Sequence, residues 1–232
     1  NTFKIVRDLQ PNAVIFSDAG PDIRWVGNEK GYANQTTWSP ILKDSLYPGM
    51  LNFNKFSAGQ ENGTHWIPAE TDVSIRPGWY YHPEQDNQVK SVEKLIDIYY
   101  NSVGLNSALL LNIPVDKRGL IHEQDEKNLR LLYEYLENTF KEDLSKNQKY
   151  SALSTRKGFD VRNIFDGKSE TFWVSPKHEF QNEVIIDFDS ETTFDVIEIS
   201  EKIDYGQRIK SFEIEILLKK EWKKVYKGTT IG

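Results

Sequence analysis

The chain has 232 residues, of which 38% are hydrophobic, 12% aromatic and 28% charged, with a net charge of −6. That aromatic content argues against disorder, and the acidic balance argues against binding to a phosphate backbone, so nucleic acid is not an expected partner. Cysteine is absent, which excludes disulfide frameworks, thiol catalysis and Cys-ligated zinc. No apolar run approaches the roughly 18 residues of a membrane span.

In chain order, Phe3, Ile5, Val6 and Leu9 recur on one side of an opening amphipathic helix. Ala13-Val-Ile-Phe-Ser17, set between Pro11 and Gly20-Pro21, reads as a buried parallel strand. Residues 71–75 and 108–113 give two more strands. Between them Val89, Val92, Leu95, Ile96 and Tyr99 predict a helix over 88–102 that stops at Gly104. A last helix is predicted over 122–140, with Leu129, Leu132, Tyr133 and Leu136 as its apolar stripe. This order means an α/β fold with a parallel sheet. The stretch from Asp18 to about Pro68 has little regular pattern, and compact domains keep so long a connection where it does work. In a (β/α) barrel that work sits on the loops after the strand C-termini.

After Phe140 the pattern changes. Residues 141–149 are charged and polar, a linker by composition. Short β-patterned runs follow at 183–188, 194–200, 211–218 and 222–226, the spacing of an antiparallel sandwich. Lys219, Lys220, Lys223 and Lys224, interleaved with Leu218, Trp222 and Val225, read as the solvated face of a strand pair. Both domains read as truncated.

The densest chemistry is Gly20-Pro-Asp-Ile-Arg-Trp-Val-Gly-Asn-Glu29, directly after the first strand. Arg24 can grip hydroxyls or stabilise a carboxylate, and a Trp25 face can stack on a sugar. The structural alternative is an Asp22–Arg24 loop salt bridge with Trp25 in the core. Four scattered His, at no HxH or HExxH spacing, give no reason to expect a catalytic metal.

The string Leu9-Gln-Pro-Asn-Ala-Val-Ile15, followed by the run from Gly20 to Gly31, resembles glycoside hydrolase family 29, the α-L-fucosidases. So do Ser74-Ile-Arg-Pro-Gly-Trp-Tyr-Tyr-His82, the run from Val103 to Pro114, and Gly119-Leu-Ile-His-Glu123. The resemblance covers about residues 1–140 and is nearest the subgroup acting on α1,3/1,4-linked fucose. It implies the C-terminal part of a (β/α)8-like barrel and retaining exo-hydrolysis of L-fucose from fucosylated oligosaccharides or glycoconjugates. It brings no cofactor, and it implies a periplasmic or extracellular setting. It makes Glu29 the general acid/base, places Arg24 near the nucleophile and the fucose ring, and sets Trp79 against the sugar's C5-methyl group. Trp25, His65 and Glu70 complete the expected substrate-binding set; His65 could equally be a packed aromatic, and Glu70 a structural carboxylate. Asp22 and His82 lie in the motifs without an assigned role. The family's nucleophilic Asp belongs to an earlier strand and matches no position here. Asp18 or Glu70 is a poor substitute, so this stretch alone is expected not to hydrolyse fucosides. The alternative is a non-catalytic carbohydrate-binding or structural remnant.

Asn163-Ile-Phe-Asp-Gly-Lys-Ser-Glu-Thr-Phe-Trp173 and Gly206-Gln-Arg-Ile-Lys-Ser-Phe212 resemble discoidin-like, coagulation-factor type C sandwiches, which are galactose-binding-like folds. Trp173 is expected to pack between the sheets, and Asp166 either to hold Ca²⁺ or to shape a turn. The expected organisation is a barrel segment at 1–140, a linker at 141–149 and a β-sandwich at 150–232.

Overall fold

The computed structural model describes residues 2–42, 45–51, 53 and 57–232. Of the readings above, Asn1 in the opening helix and six positions of the 18–68 stretch lie outside the described residues. The chain forms two compact units, one of residues 1–133 with 205–232 and one of 134–204.

The first unit opens with α1 (Thr2–Leu9), then β1 (Phe16–Ser17), β2 (Ile23–Trp25), β3 (Pro40–Ile41), β4 (His65–Trp66) and β5 (Ala69–Ser74). It continues with α2 (Val92–Ser102), β6 (Ser107–Asn112) and the first part of α3 (Glu123–Phe140), whose residues from 134 on belong to the second unit. The strands β1, β2, β5 and β6 make one parallel sheet in that order, while β3 and β4 pair antiparallel within the long loop. The parallel order, with α2 crossing between β5 and β6, is that of successive strands of a (β/α) barrel.

Burial along β5 follows the period of two that strand geometry demands. Ala69, Thr71, Val73 and Ile75 are at most 2% exposed, whereas Glu70 and Asp72 are only half-buried. The apolar side faces α2, which buries Leu95 and Ile98. Gly31 lies where both meet: a Cβ there would stand 2.8 Å from Ile98 and 2.9 Å from Val73, on a backbone with φ +75°. Only glycine fits.

Two expectations need correction. The 13–17 run is a two-residue strand paired on one side among the described residues, with Val14 67% and Phe16 41% exposed. The 88–102 helix starts at Val92, with Ser91 as its N-cap accepting the Lys94 amide at 3.4 Å. The Lys90 amide is already committed to the Ile75 carbonyl at 2.9 Å. The opening helix forms, yet none of its described residues is buried.

A charged pair sits in the core. Arg76 and Asp125 are both enclosed, Nε to Oδ2 at 2.9 Å, with Asp86 accepting from the same guanidinium at 2.9 Å. Burial alone would lower the arginine's pKa, but the hydrogen bonds to Asp125 and Asp86 outweigh it and raise the group. The pair ties the loop after β5 to α3.

The second unit pairs β7 (Lys149–Ala152) with β8 (Val184–Asp187) antiparallel. Tyr150 stacks on Phe165 at 4.0 Å and Phe159 meets Phe172 at 5.1 Å. Trp173 is half-buried with its indole donating to Thr155 at 3.1 Å, so it is not the enclosed core residue expected. Asp166 accepts the Lys168 amide at 2.9 Å and the Thr171 hydroxyl at 2.6 Å, which is turn chemistry. The expected strand at 194–200 forms no ladder among the described residues: alternation supplies faces, but a strand also needs a neighbour for its backbone groups.

Residues 205–232 supply β9 (Phe212–Leu218) and β10 (Glu221–Gly228), an antiparallel hairpin. Its two-residue loop, Lys219-Lys220, has positive φ at both positions, as a type I′ turn requires. Gln207 fastens this segment to the loop after β2. Its amide accepts the Ser39 N–H at 2.6 Å and donates to the Thr37 and Ile231 carbonyls at 3.1 and 2.8 Å. Among the described residues no helix is long and apolar enough to cross a membrane.

Replacing Asp125 by Ala leaves the Arg76 guanidinium enclosed with only the Asp86 carboxylate. The expected result is a loss of about 3–5 kcal/mol in urea unfolding; a loss below about 1 kcal/mol contradicts a paired core.

Candidate functional site

The site is built on the register between β2 and β5, where Arg24 pairs with Ala69 and Trp25 with Glu70. Adjacent residues of a strand point to opposite faces. Trp25 therefore shares a face with Glu70 and Asp72, and Arg24 belongs to the other, buried face. The half-buried face of β5 is the polar one, and the next strand continues it with Asn112 opposite Ser74.

Beyond Trp25 the chain arches off the sheet and returns. The Val26 amide donates to the Glu70 carbonyl at 3.0 Å and the Gly31 amide to the Asp72 carbonyl at 3.1 Å. Those carbonyls are about 7 Å apart along the strand, so the residues between must bow outward, and Glu29 is exposed on the bow. Asn28 shapes it, its side chain donating to the Tyr32 carbonyl and accepting from the Lys30 amide, both at 3.0 Å. Tyr32 reaches Lys94 and Asp97 on α2 through its hydroxyl.

Trp79 comes to Glu29 from the loop after β5. Its indole N–H donates to Glu29 Oε2 at 2.8 Å. The loop is fixed from the strand ends: Ser74 donates to the Gly78 carbonyl at 2.7 Å, and Asn112 donates to the Trp79 carbonyl and the Ser74 hydroxyl at 3.0 Å each. A second indole, of Trp25, donates to Asp72 Oδ1 at 2.7 Å and stacks on Phe53 with centroids 6.0 Å apart.

Burial pushes the Asp72 carboxyl up; the Trp25 hydrogen bond opposes this and the Glu29 charge adds to it. Burial, then the Asp72 charge, likewise raises Glu70.

The sequence-derived residues divide accordingly. Glu29 and Trp79 meet directly, and Trp25 and Glu70 are register partners on the adjoining polar face. Arg24 is a correction. It is wholly enclosed, with its guanidinium donating to the carbonyls of Ser57 at 3.2 Å, Trp38 at 2.6 Å and Ile67. Burial pulls its pKa down to about 10, so it stays charged at neutral pH. Strand alternation forbids Arg24 and Trp25 from facing one sugar, and Arg24 instead clamps the loops around β2. The alternative Asp22–Arg24 bridge does not form either. Asp22 pairs with Arg7 and accepts the Ile15 amide at 2.6 Å, and those bonds, Arg7's first, hold its carboxyl below the usual range.

His65 is not brought to Glu29. It lies on β4, at the amino end of β5, whereas Trp79 leaves the carboxyl end; its ring meets the Thr64 hydroxyl at 2.9 Å. Asp72, Asn112 and Ser74 were missed. The alternation of Glu70, Asp72 and Ser74 with Ala69, Thr71 and Val73 is the signal that could have found them.

The alpha-L-fucosidase family model matches residues 5–140, and the F5/8 type C domain model matches 147–232. Alpha-L-fucosidase 1 of Arabidopsis thaliana is 39% identical over 99% of this chain and 46% of its own length. The crystal structure of SpGH29 superposes with a TM-score of 0.92 at 37% identity, over 99% of this chain and 50% of that one. A Ruminococcus gnavus GH29 fucosidase in complex with fucose superposes at 0.88 and 30% identity, over 99% and 49%. The chain thus spans about half the length of the relatives it matches.

Two variants separate scaffold from site. Arg24→Met orphans three carbonyls and should lower unfolding free energy by at least about 3 kcal/mol; an unchanged melting temperature contradicts the clamp. Glu70 has a raised folded-state pKa, so its stability contribution is full below the unfolded value and lost as pH rises through the folded one. Glu70→Gln should therefore stabilise at pH 7, with the gain fading below the ordinary Glu value of 4.5. A gain constant from pH 3 to pH 8 contradicts the assigned cause.

Proposed function

This chain belongs to the alpha-L-fucosidase family, and from that premise we propose that it supplies the acid/base portion of a retaining exo-α-L-fucosidase site, with Glu29 as the proton donor and acceptor. The observation that carries this reading is the Glu29–Trp79 pair. An exposed carboxyl on an arched loop, at the carboxyl end of a parallel sheet, has one oxygen held by an indole N–H at 2.8 Å. The other oxygen is left to face a substrate.

In the first step protonated Glu29 gives its proton to the glycosidic oxygen as the C1–O bond breaks. In the second the carboxylate takes a proton from the water that releases the sugar. Retention needs a second carboxylate about 5–5.5 Å from the first, and we assign it to residues other than these 232. The aromatic ring of Trp79 supplies an apolar wall that favours the methyl of a 6-deoxy sugar over a hydroxyl, which would be desolvated there. The fucose complex of the Ruminococcus gnavus relative supports L-fucose as the sugar. The α1,3/1,4 linkage preference and a periplasmic or extracellular location rest on the motif resemblance.

The test uses the protein expressed from its complete gene. It should release fucose from α1,3- and α1,4-fucosylated oligosaccharides in preference to α1,2-linked ones. Glu29→Gln should cut kcat by about 10²–10⁴-fold without moving the melting temperature. Trp79→Phe keeps the ring but loses the bond to Glu29, and should cost about tenfold or more in kcat. The bare 232-residue polypeptide should release none. Undiminished turnover in Glu29→Gln, or turnover by the bare polypeptide, overturns the assignment.

A further inference from the structure

The arch that presents Glu29 is fastened to β5 through one residue more than through any other named above. Asp72 accepts the Trp25 indole through its side chain at 2.7 Å and the Gly31 amide through its carbonyl at 3.1 Å. Trp25 and Gly31 are the two flanks of the loop on which Glu29 stands. The carbonyl contact belongs to any residue at position 72, but the side-chain contact needs an oxygen acceptor on that face of the strand.

We propose that Asp72 is a positioning residue for Glu29: its carboxylate locks the Trp25 indole at the foot of the arch and so fixes where the Glu29 carboxyl stands against the glycosidic oxygen. This rests on the reading of Glu29 as acid/base. The physical logic is that of a supporting shell: a reacting group displaced by about 1 Å can lose about 10²-fold in rate. Two indoles then divide the work. Trp79 holds the Glu29 carboxyl from above, and Trp25, locked by Asp72, holds the chain beneath it.

Among the described residues, the groups facing Asp72 are few. The Trp25 indole comes from β2, the Glu29 carboxylate from the arch and the Glu70 carboxylate from β5 itself. Leu110, its register partner on β6, brings no charge. The carboxylate accepts from the Trp25 indole and from the Asp72 amide itself, and the Glu29 charge opposes its ionisation.

Tested in the protein from its complete gene, Asp72→Ala should lower kcat about 30- to 100-fold with KM within about threefold. Asp72→Asn keeps an oxygen for the indole and should restore kcat to within about threefold of the unmodified protein. Asp72→Ala within threefold of unmodified, or Asp72→Asn as impaired as Asp72→Ala, overturns the proposal. A second readout needs no turnover. The Trp25 indole N–H resonance, assigned by its loss in Trp25→Phe, should shift with pH at a midpoint above the ordinary Asp value of 3.8, and that midpoint should fall in Glu29→Gln. An indole signal indifferent to pH overturns the proposal even where the protein folds and acts normally. Absence of fucosidase turnover in the unmodified protein refutes the functional reading, and the indole titration then decides the role of Asp72 alone.

Discussion

The parallel pairing of β2 with β5 is the constraint on which the site depends. Because Trp25 stands opposite Glu70 and Arg24 opposite Ala69, the strand period sends the tryptophan to the polar side and the arginine into the interior. The same ladder, continued by the Val26 and Gly31 amides onto the Glu70 and Asp72 carbonyls, forces the intervening residues outward. Glu29 is exposed because its neighbours are bonded, and Gly31 is glycine because the returning chain runs against Val73 and Ile98.

The scaffold is polar to an unusual depth, and its two enclosed arginines are satisfied in different ways. Arg76 has carboxylate partners, which keep its pKa high despite burial. Among the described residues Arg24 is held by backbone carbonyls, and burial lowers it to about 10. Its guanidinium closes three chain segments at once, at Trp38, Ser57 and Ile67. The half-buried face of β5 shows the opposite imbalance. Glu70 and Asp72 lie close enough to feel each other, Asp72 feels Glu29 as well, and no cation is among the causes of either shift. Such a face binds protons more readily than free carboxylates do, which suits a surface next to the proposed proton donor.

Much of this was legible in the residues. The strands expected at 71–75 and 108–113, the helix at 122–140 and the runs at 211–218 and 222–226 all form within two residues of those bounds, and the motifs from Gly20 to Gly31 and from Ser74 to His82 point to the family to which the chain belongs. What misled was composition read without faces. Arg24 and Trp25 looked like one sugar-gripping pair, although consecutive strand residues cannot share a side. His65 looked close to the site because it lies in the long loop, but it sits at the wrong end of β5. The run 71–75 leaves out Ala69 and Glu70, so by itself it shows too little alternation to single out Asp72. The exposed edge at 13–17 and the unpaired run at 194–200 fail for another reason: a strand's burial and pairing are set by neighbours that local sequence does not contain.

Proton transfer from Glu29 to the departing oxygen makes the cost of losing that carboxyl depend on the leaving group. In the protein from its complete gene, kcat/KM should be compared between unmodified and Glu29→Gln forms across aryl fucosides of graded phenol acidity. The expected loss is about 10²-fold or more for poorly acidic phenols, shrinking toward none for strongly acidic ones that need no protonation. A loss of the same size across the whole series would contradict it.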